Sequence, residues 1–201
     1  MTTTKKTTKT RSKASTSTST RKSATPIPDL PTNPFVFEVL ELASKQRSNA
    51  KKVEVLKKYE HDSLKSIFIW NFDESVISLL PEGDVPYGDA DDQSVYSGSL
   101  SQNIQREAAG GESATGQDLD GRGKTSLRRE WKNLYHYVHG GNSSLSNIRR
   151  EMMFINLLRG LHPKEAEVVV LIKDGRLGSK YKVSFENVKE AYPDIQWGGR
   201  S

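Results

Sequence analysis

The chain contains no cysteine in 201 residues. That absence removes disulfides, thiolate metal sites and cysteine nucleophiles together, and it suits a reducing compartment. Hydrophobic residues are scarce too, at 34%, against roughly 45–50% in an average globular chain counted with glycine. A deficit of that size is expected when part of a chain forms no packed core. No apolar run approaches the roughly 20 residues that cross a bilayer, and the N-terminus is too polar for a secretory signal. These absences point to a soluble, intracellular protein without a membrane partner, built as one domain plus unfolded segments at roughly 100–200 residues per domain.

What the chain does have is charge, unevenly placed. The net is +5, but residues 1–34 alone carry Lys5, Lys6, Lys9, Arg11, Lys13, Arg21 and Lys22 against a single acid, Asp29. Thr and Ser fill the space between, and Pro26-Ile27-Pro28 follows. Such a stretch cannot bury enough apolar surface to offset its ordering entropy, so a disordered basic tail is expected, suited to a polyanion or merely solubilising. Residues 81–121 run the other way, with nine acids and the single base Arg106. They read as a long acidic loop. It is either a solvated connection or a segment that competes with DNA for the basic half of the protein. Residues 35–80 are balanced at seven bases and seven acids, whereas 122–201 hold fifteen bases and eight acids.

Hydrophobic spacing in the two remaining stretches predicts an all-α protein, a compact bundle of about seven short helices. One runs from Phe35 to Ala43. A second is capped by Ser48 and carries Val53, Leu56 and Tyr59, and a third starts at Asp62. Val76 to Leu80 is a short apolar tail. Thr125 or Ser126 opens a fourth, through Trp131, Leu134, Tyr135 and Val138 to Gly140-Gly141. Asn142 or Ser143 opens a fifth, with Leu145, Ile148, Met152, Ile155 and Leu158 on its inward face. His162-Pro163 begins a sixth that Gly175 ends, although its β-branched run Val168-Val169-Val170 also fits a buried strand. Ser184 begins the last, which Pro193 stops.

Asp118 to Ser126 ends like a phosphate-binding loop, G-x-x-x-x-G-K-[ST]. The first glycine is replaced by Asp118, no apolar strand precedes it, and too little chain follows for a parallel sheet of roughly 30-residue units. Nucleotide hydrolysis is therefore not expected. His136 and His139 share a helix but lack a third ligand, and Asp73-Glu74 reads as a solvated helix end. No metal, cofactor or catalytic residue is expected.

Two blocks carry a resemblance. Phe37 to Lys45 (FEVLELASK) with Ser48 to Tyr59 (SNAKKVEVLKKY), and Ile148 to Leu158 (IRREMMFINLL) with Pro163 to Leu177 and Val188 to Pro193, resemble the start and end of the helical DNA-binding domain that opens ATP-dependent DNA ligases of T-even-type phages. The whole chain also looks like an uncharacterised protein family of T-even-like marine phages. The ligase resemblance implies a grip on duplex phosphate through helix N-termini and basic side chains. The matching residues are Lys45, Arg47, Ser48, Lys51 and Lys52; Lys124, Thr125, Arg128 and Arg129; and Arg149, Arg150, Lys173, Arg176 and Lys180. Arg149-Arg150 stands out, since two adjacent arginines opposite an apolar stripe are not both expected to serve packing. The departure is equally informative. Lys173-Asp174-Gly175 lacks the intervening residue of the ligases' K-x-D-G, and only 26 residues follow it, so no adenylation, nick sealing or bound AMP is expected. The expectation is a non-catalytic, sequence-independent DNA-binding phage protein, accessory to replication or repair, in the host cytoplasm, with phage replication proteins as further candidate partners. The rival is a virion-associated or protein-interaction role without DNA.

Overall fold

The computed structural model describes residues 1–2, 27–83, 86–87, 98–99 and 124–200. Most of the expected basic tail, most of the acidic loop and residues 118–123 of the phosphate-loop-like stretch lie outside the described residues. The protein is mostly helical. The helices are α1 (Val36–Lys45), α2 (Asn49–Lys58), α3 (Asp62–Phe72), α4 (Leu127–Glu130), α5 (Asn147–Gly160), α6 (Pro163–Lys173), α7 (Leu177–Lys180) and α8 (Phe185–Ala191). A 3₁₀ helix, Trp131–Tyr137, continues α4. Within the acid-rich stretch, β1 (Pro86–Tyr87) pairs antiparallel with β2 (Gly98–Ser99).

Side-chain caps set most of the starts. Ser48 Oγ accepts from Lys51 N at 3.3 Å and Ser146 Oγ from Arg149 N at 3.4 Å. Ser184 and Asn187 cap each other's backbone N–H reciprocally, the capping-box arrangement. Two caps are histidines: His61 Nδ1 accepts from Ser63 N at 3.0 Å, and His162 Nδ1 from Lys164 N at 3.1 Å. α6 ends at Asp174, followed by Gly175 at φ 65°, where a side chain would be strained. The β-branched run of α6 is thus helical, and it holds the middle of the bundle: Val168 and Val169 are fully buried and α6 packs against α1, α3 and α5. α2 lies between α1 and α8, and the buried Tyr192 hydroxyl donates to Leu56 O at 2.8 Å.

One buried carboxylate locks three helix starts together. Glu165, in the first turn of α6, accepts from Val36 N of α1 at 3.1 Å and from Leu127 N of α4 at 2.9 Å. Four unpaired N–H groups open every helix; here one side chain serves the starts of α1 and α4 from a third. Burial pushes its pKa up to about 7 against those two hydrogen bonds.

Three expectations are corrected. The helix opened by Ser126 is one α-turn that tightens into the 3₁₀ segment, burying Leu127, Leu134 and Tyr137 rather than Trp131 and Tyr135. Val138 leaves the helix and pairs with Ser78, so the apolar tail after α3 is tied by Leu79 N to Tyr137 O at 2.9 Å. α5 starts at Asn147 and turns a different face inward: Arg150, Phe154, Leu157 and Leu158 are buried, leaving Ile148 75% and Met152 60% exposed. The short α7 had no sequence signal of its own.

Candidate nucleic-acid interface

The fourteen residues expected to contact phosphate do not share one environment. The turn between α1 and α2 gathers the largest group. Arg47 and Ser48 are exposed, Lys45 is exposed with Glu41 only 4.0 Å away, and Lys51 and Lys52 are half-buried. Lys52 Nζ donates to Lys182 O, and Lys182 N donates to Ser44 Oγ at 3.3 Å. The segment after α7 therefore lies against this turn and adds the exposed Lys182, a residue no spacing in the sequence points to. Lys180, in α7, is exposed and paired with Glu167. At the other expected start, Lys124 and Arg129 are exposed, whereas Thr125 and Arg128 are engaged. Thr125 Oγ1 donates to Glu130 Oε1 at 2.8 Å and Arg128 Nη1 to Pro34 O at 3.3 Å. Arg176 is exposed at the start of α7, and Arg149 at the start of α5.

Arg150 and Lys173 leave the candidate surface. Arg150 is 3% exposed. Its Nε donates to His136 O at 2.9 Å, Nη1 to Asn147 Oδ1 at 2.7 Å, and Nη2 to Asn142 O at 3.2 Å and Leu145 O at 3.1 Å. The guanidinium fork satisfies carbonyls of a turn that no helix or sheet would otherwise pair. The adjacent arginines thus divide, Arg149 to solvent and Arg150 to the turn. Lys173 is buried as well: its Nζ donates to Pro81 O at 2.6 Å, Gly83 O at 3.2 Å and the carboxylate of Asp174, whose Oδ2 accepts from Gly83 N at 3.3 Å. Lys173-Asp174 is a clamp on residues 81–83.

Some of the remaining cations sit beside helix starts that carry no acid. α1, α3, α4, α6 and α8 each carry an acid in the first turn and the four-residue α7 carries none; among the longer helices, α2 and α5 also carry none. In those two the first turn presents Lys51 and Arg149 instead. Arg47, Lys124, Arg129, Arg149 and Arg176 have no side-chain partner among the described residues. Also among the described residues, no cluster of His, Asp and Glu is placed to hold a metal, and no helix is long and apolar enough to cross a membrane.

The fold and this surface define a compact, mostly helical protein with bases, in place of acids, in the first turns of two helices. The chain belongs to DUF6433, a family of unknown function, whose sequence pattern matches residues 39–109 and 113–179, more than half of the chain. No curated protein and no solved structure matches it.

Proposed function

We propose that the protein grips the phosphate backbone of DNA without reading its sequence and without catalysing a reaction, as an accessory to phage DNA replication or repair. The observation that carries this reading is the set of exposed, unpartnered cations at helix starts free of acids, centred on Arg47 with Ser48 in the α1–α2 turn and on Arg149. A helix N-terminus and a nearby base both attract a phosphate, and neither distinguishes one base pair from another. The resemblance of the two sequence blocks to the helical domain of phage DNA ligases points the same way.

The test is duplex affinity across a salt series with the full chain. Each phosphate neutralised contributes about −0.9 to the slope of log affinity against log salt. A steep negative slope is expected, made shallower by about 1–2 in the Arg47→Glu, Arg149→Glu double variant. A slope near zero overturns the proposal.

One observation favours a second reading, a virion-associated or protein-interaction role without DNA. Ile148 and Met152 are large apolar side chains left exposed one turn apart on α5. Under that reading Met152→Lys abolishes co-purification with phage proteins while the salt slope is flat in the unaltered chain.

A further inference from the structure

A cavity of about 370 Å³ opens between α3, the 3₁₀ helix and the turn at residues 138–141, with Arg200 at its edge. Its size falls in the lower part of the roughly 300–1,000 Å³ range of small-molecule sites. Three aromatic side chains line it. Trp70 is almost wholly buried and stacks on Tyr137 at a 13° interplanar angle, Trp131 is half-buried, and Tyr135 is 48% exposed. The walls thus offer rigid flat surfaces with a solvent-facing side. Trp70 brings a second feature: its indole N–H is buried without an acceptor among the described residues.

The ionisable groups lining the cavity are bases, apart from the phenol of Tyr135. Lys132 is exposed, with Nζ 5.6 Å from the centre of the Trp131 ring, and the exposed His139 also lines the cavity. Arg200 is fixed, because its Nη1 donates to Asp73 Oδ2 at 2.7 Å and its backbone N to Ser75 Oγ at 3.2 Å. Asp73 itself takes further hydrogen bonds from Ser75 and Gly198, which with Arg200 outweigh the effect of burial and hold its pKa below the ordinary value. Among the described residues, no carboxylate lines the cavity. Backbone completes the mouth at Gly141, where a Cβ would stand 1.8 Å from Tyr135 O, so only glycine fits.

Aromatic walls with a cationic rim match a flat ring that carries an anion. We propose that this cavity binds one unpaired nucleotide, its base against the aromatic walls and its phosphate at Lys132 and Arg200. Base–aromatic stacking accepts every base, because each has a π-face. The proposal does not rest on the phosphate grip at α2 and α5, since it uses none of those residues. Two sources present this chemistry, a free nucleotide and a nucleotide within single-stranded DNA.

Tryptophan fluorescence reads the site, with Trp197→Phe as the background because Trp197 packs on Phe185 outside the cavity. In that full-length background, AMP, adenosine, oligo(dT) and an abasic oligonucleotide of equal length are titrated. Saturable quenching by AMP, by oligo(dT) or by both is expected, with AMP alone naming the free nucleotide and oligo(dT) alone the single strand. Adenosine is expected to bind about tenfold more weakly than AMP. Lys132→Glu, at an exposed position, is expected to weaken the effective ligand about tenfold without altering the circular dichroism spectrum. Quenching by neither AMP nor oligo(dT) overturns the proposal, as does adenosine matching AMP where AMP binds, or the abasic strand matching oligo(dT) where oligo(dT) binds.

Discussion

Two pairs of helix starts in this protein contrast electrostatically. Those of α1 and α4 end on the carboxylate of Glu165, itself in the first turn of α6 and buried at their meeting point. Those of α2 and α5 open outward with Lys51 and Arg149 in place of an acid. The partial positive charge at a helix start is the same in both places. At the first it is satisfied from within and fixes the packing of three helices; at the second, bases stand in the first turn, where we propose that phosphate binds. Stability and binding should therefore separate when the two regions are altered.

The largest effect is expected at the junction. Glu165→Ala strands Val36 N and Leu127 N in the core, and each orphaned donor costs about 1–3 kcal/mol. A loss of about 2–6 kcal/mol in urea denaturation follows, whereas Glu165→Gln keeps one acceptor and loses less. The same side chain makes stability depend on pH. Its folded pKa, about 7, lies above the ordinary 4.5, so the folded state holds a proton the unfolded state has released. Its contribution is greatest below pH 4.5 and declines by up to about 3 kcal/mol as pH rises to 7. Subtracting the Glu165→Gln pH profile from that of the unaltered chain isolates this slope; parallel profiles refute it.

Next in size is the contrast within Arg149-Arg150. Arg150→Met leaves the carbonyls of His136, Asn142 and Leu145 without their donor and should cost about 3 kcal/mol. Arg149→Met should change stability by less than about 0.5 kcal/mol while reducing the salt dependence of DNA binding. Equal destabilisation by the two would erase the distinction between an inward and an outward base.

That pair also marks where the sequence is legible and where it is not. Helical periodicity and caps locate α1, α2, α3, α6 and α8 closely, because Ser48, Pro163 and Ser184 act through their own backbone neighbours. The inward face of α5 is not legible, since Ile148 and Met152 satisfy the periodic pattern better than Arg150 does. Arg150 turns inward for carbonyls of a turn outside the helix, a tertiary demand invisible to local spacing. Lys173 is hidden for the same reason: Pro81 and Gly83 lie 92 and 90 residues away in sequence. Glu165 reads as an ordinary first-turn acid, and only the packed structure shows that it serves α1 and α4. Of the candidate surface, the α1–α2 turn is legible because its bases are local, while Lys182 joins it through a backbone contact across the fold.

The smallest expected effect tests the junction's neighbour, the histidine cap of α3. His61 Nδ1 accepts from Ser63 N only while that nitrogen is unprotonated. Burial first, then the charge of Arg128, lowers the His61 pKa below 6.5. A depressed histidine contributes stability that is fully present above pH 6.5 and is lost as pH falls through the folded value, opposite in sign to Glu165. His61→Asn keeps a capping acceptor and removes the titration. At pH 7.5 it should be neutral within about 0.5 kcal/mol, and at pH 5 it should be more stable than the unaltered chain by about 1 kcal/mol, the usual size of a cap. If the acid sensitivity persists unchanged in His61→Asn, the cap of α3 is not its source, and the acid side of the profile belongs to His162, whose pKa is lowered by burial and by Lys164.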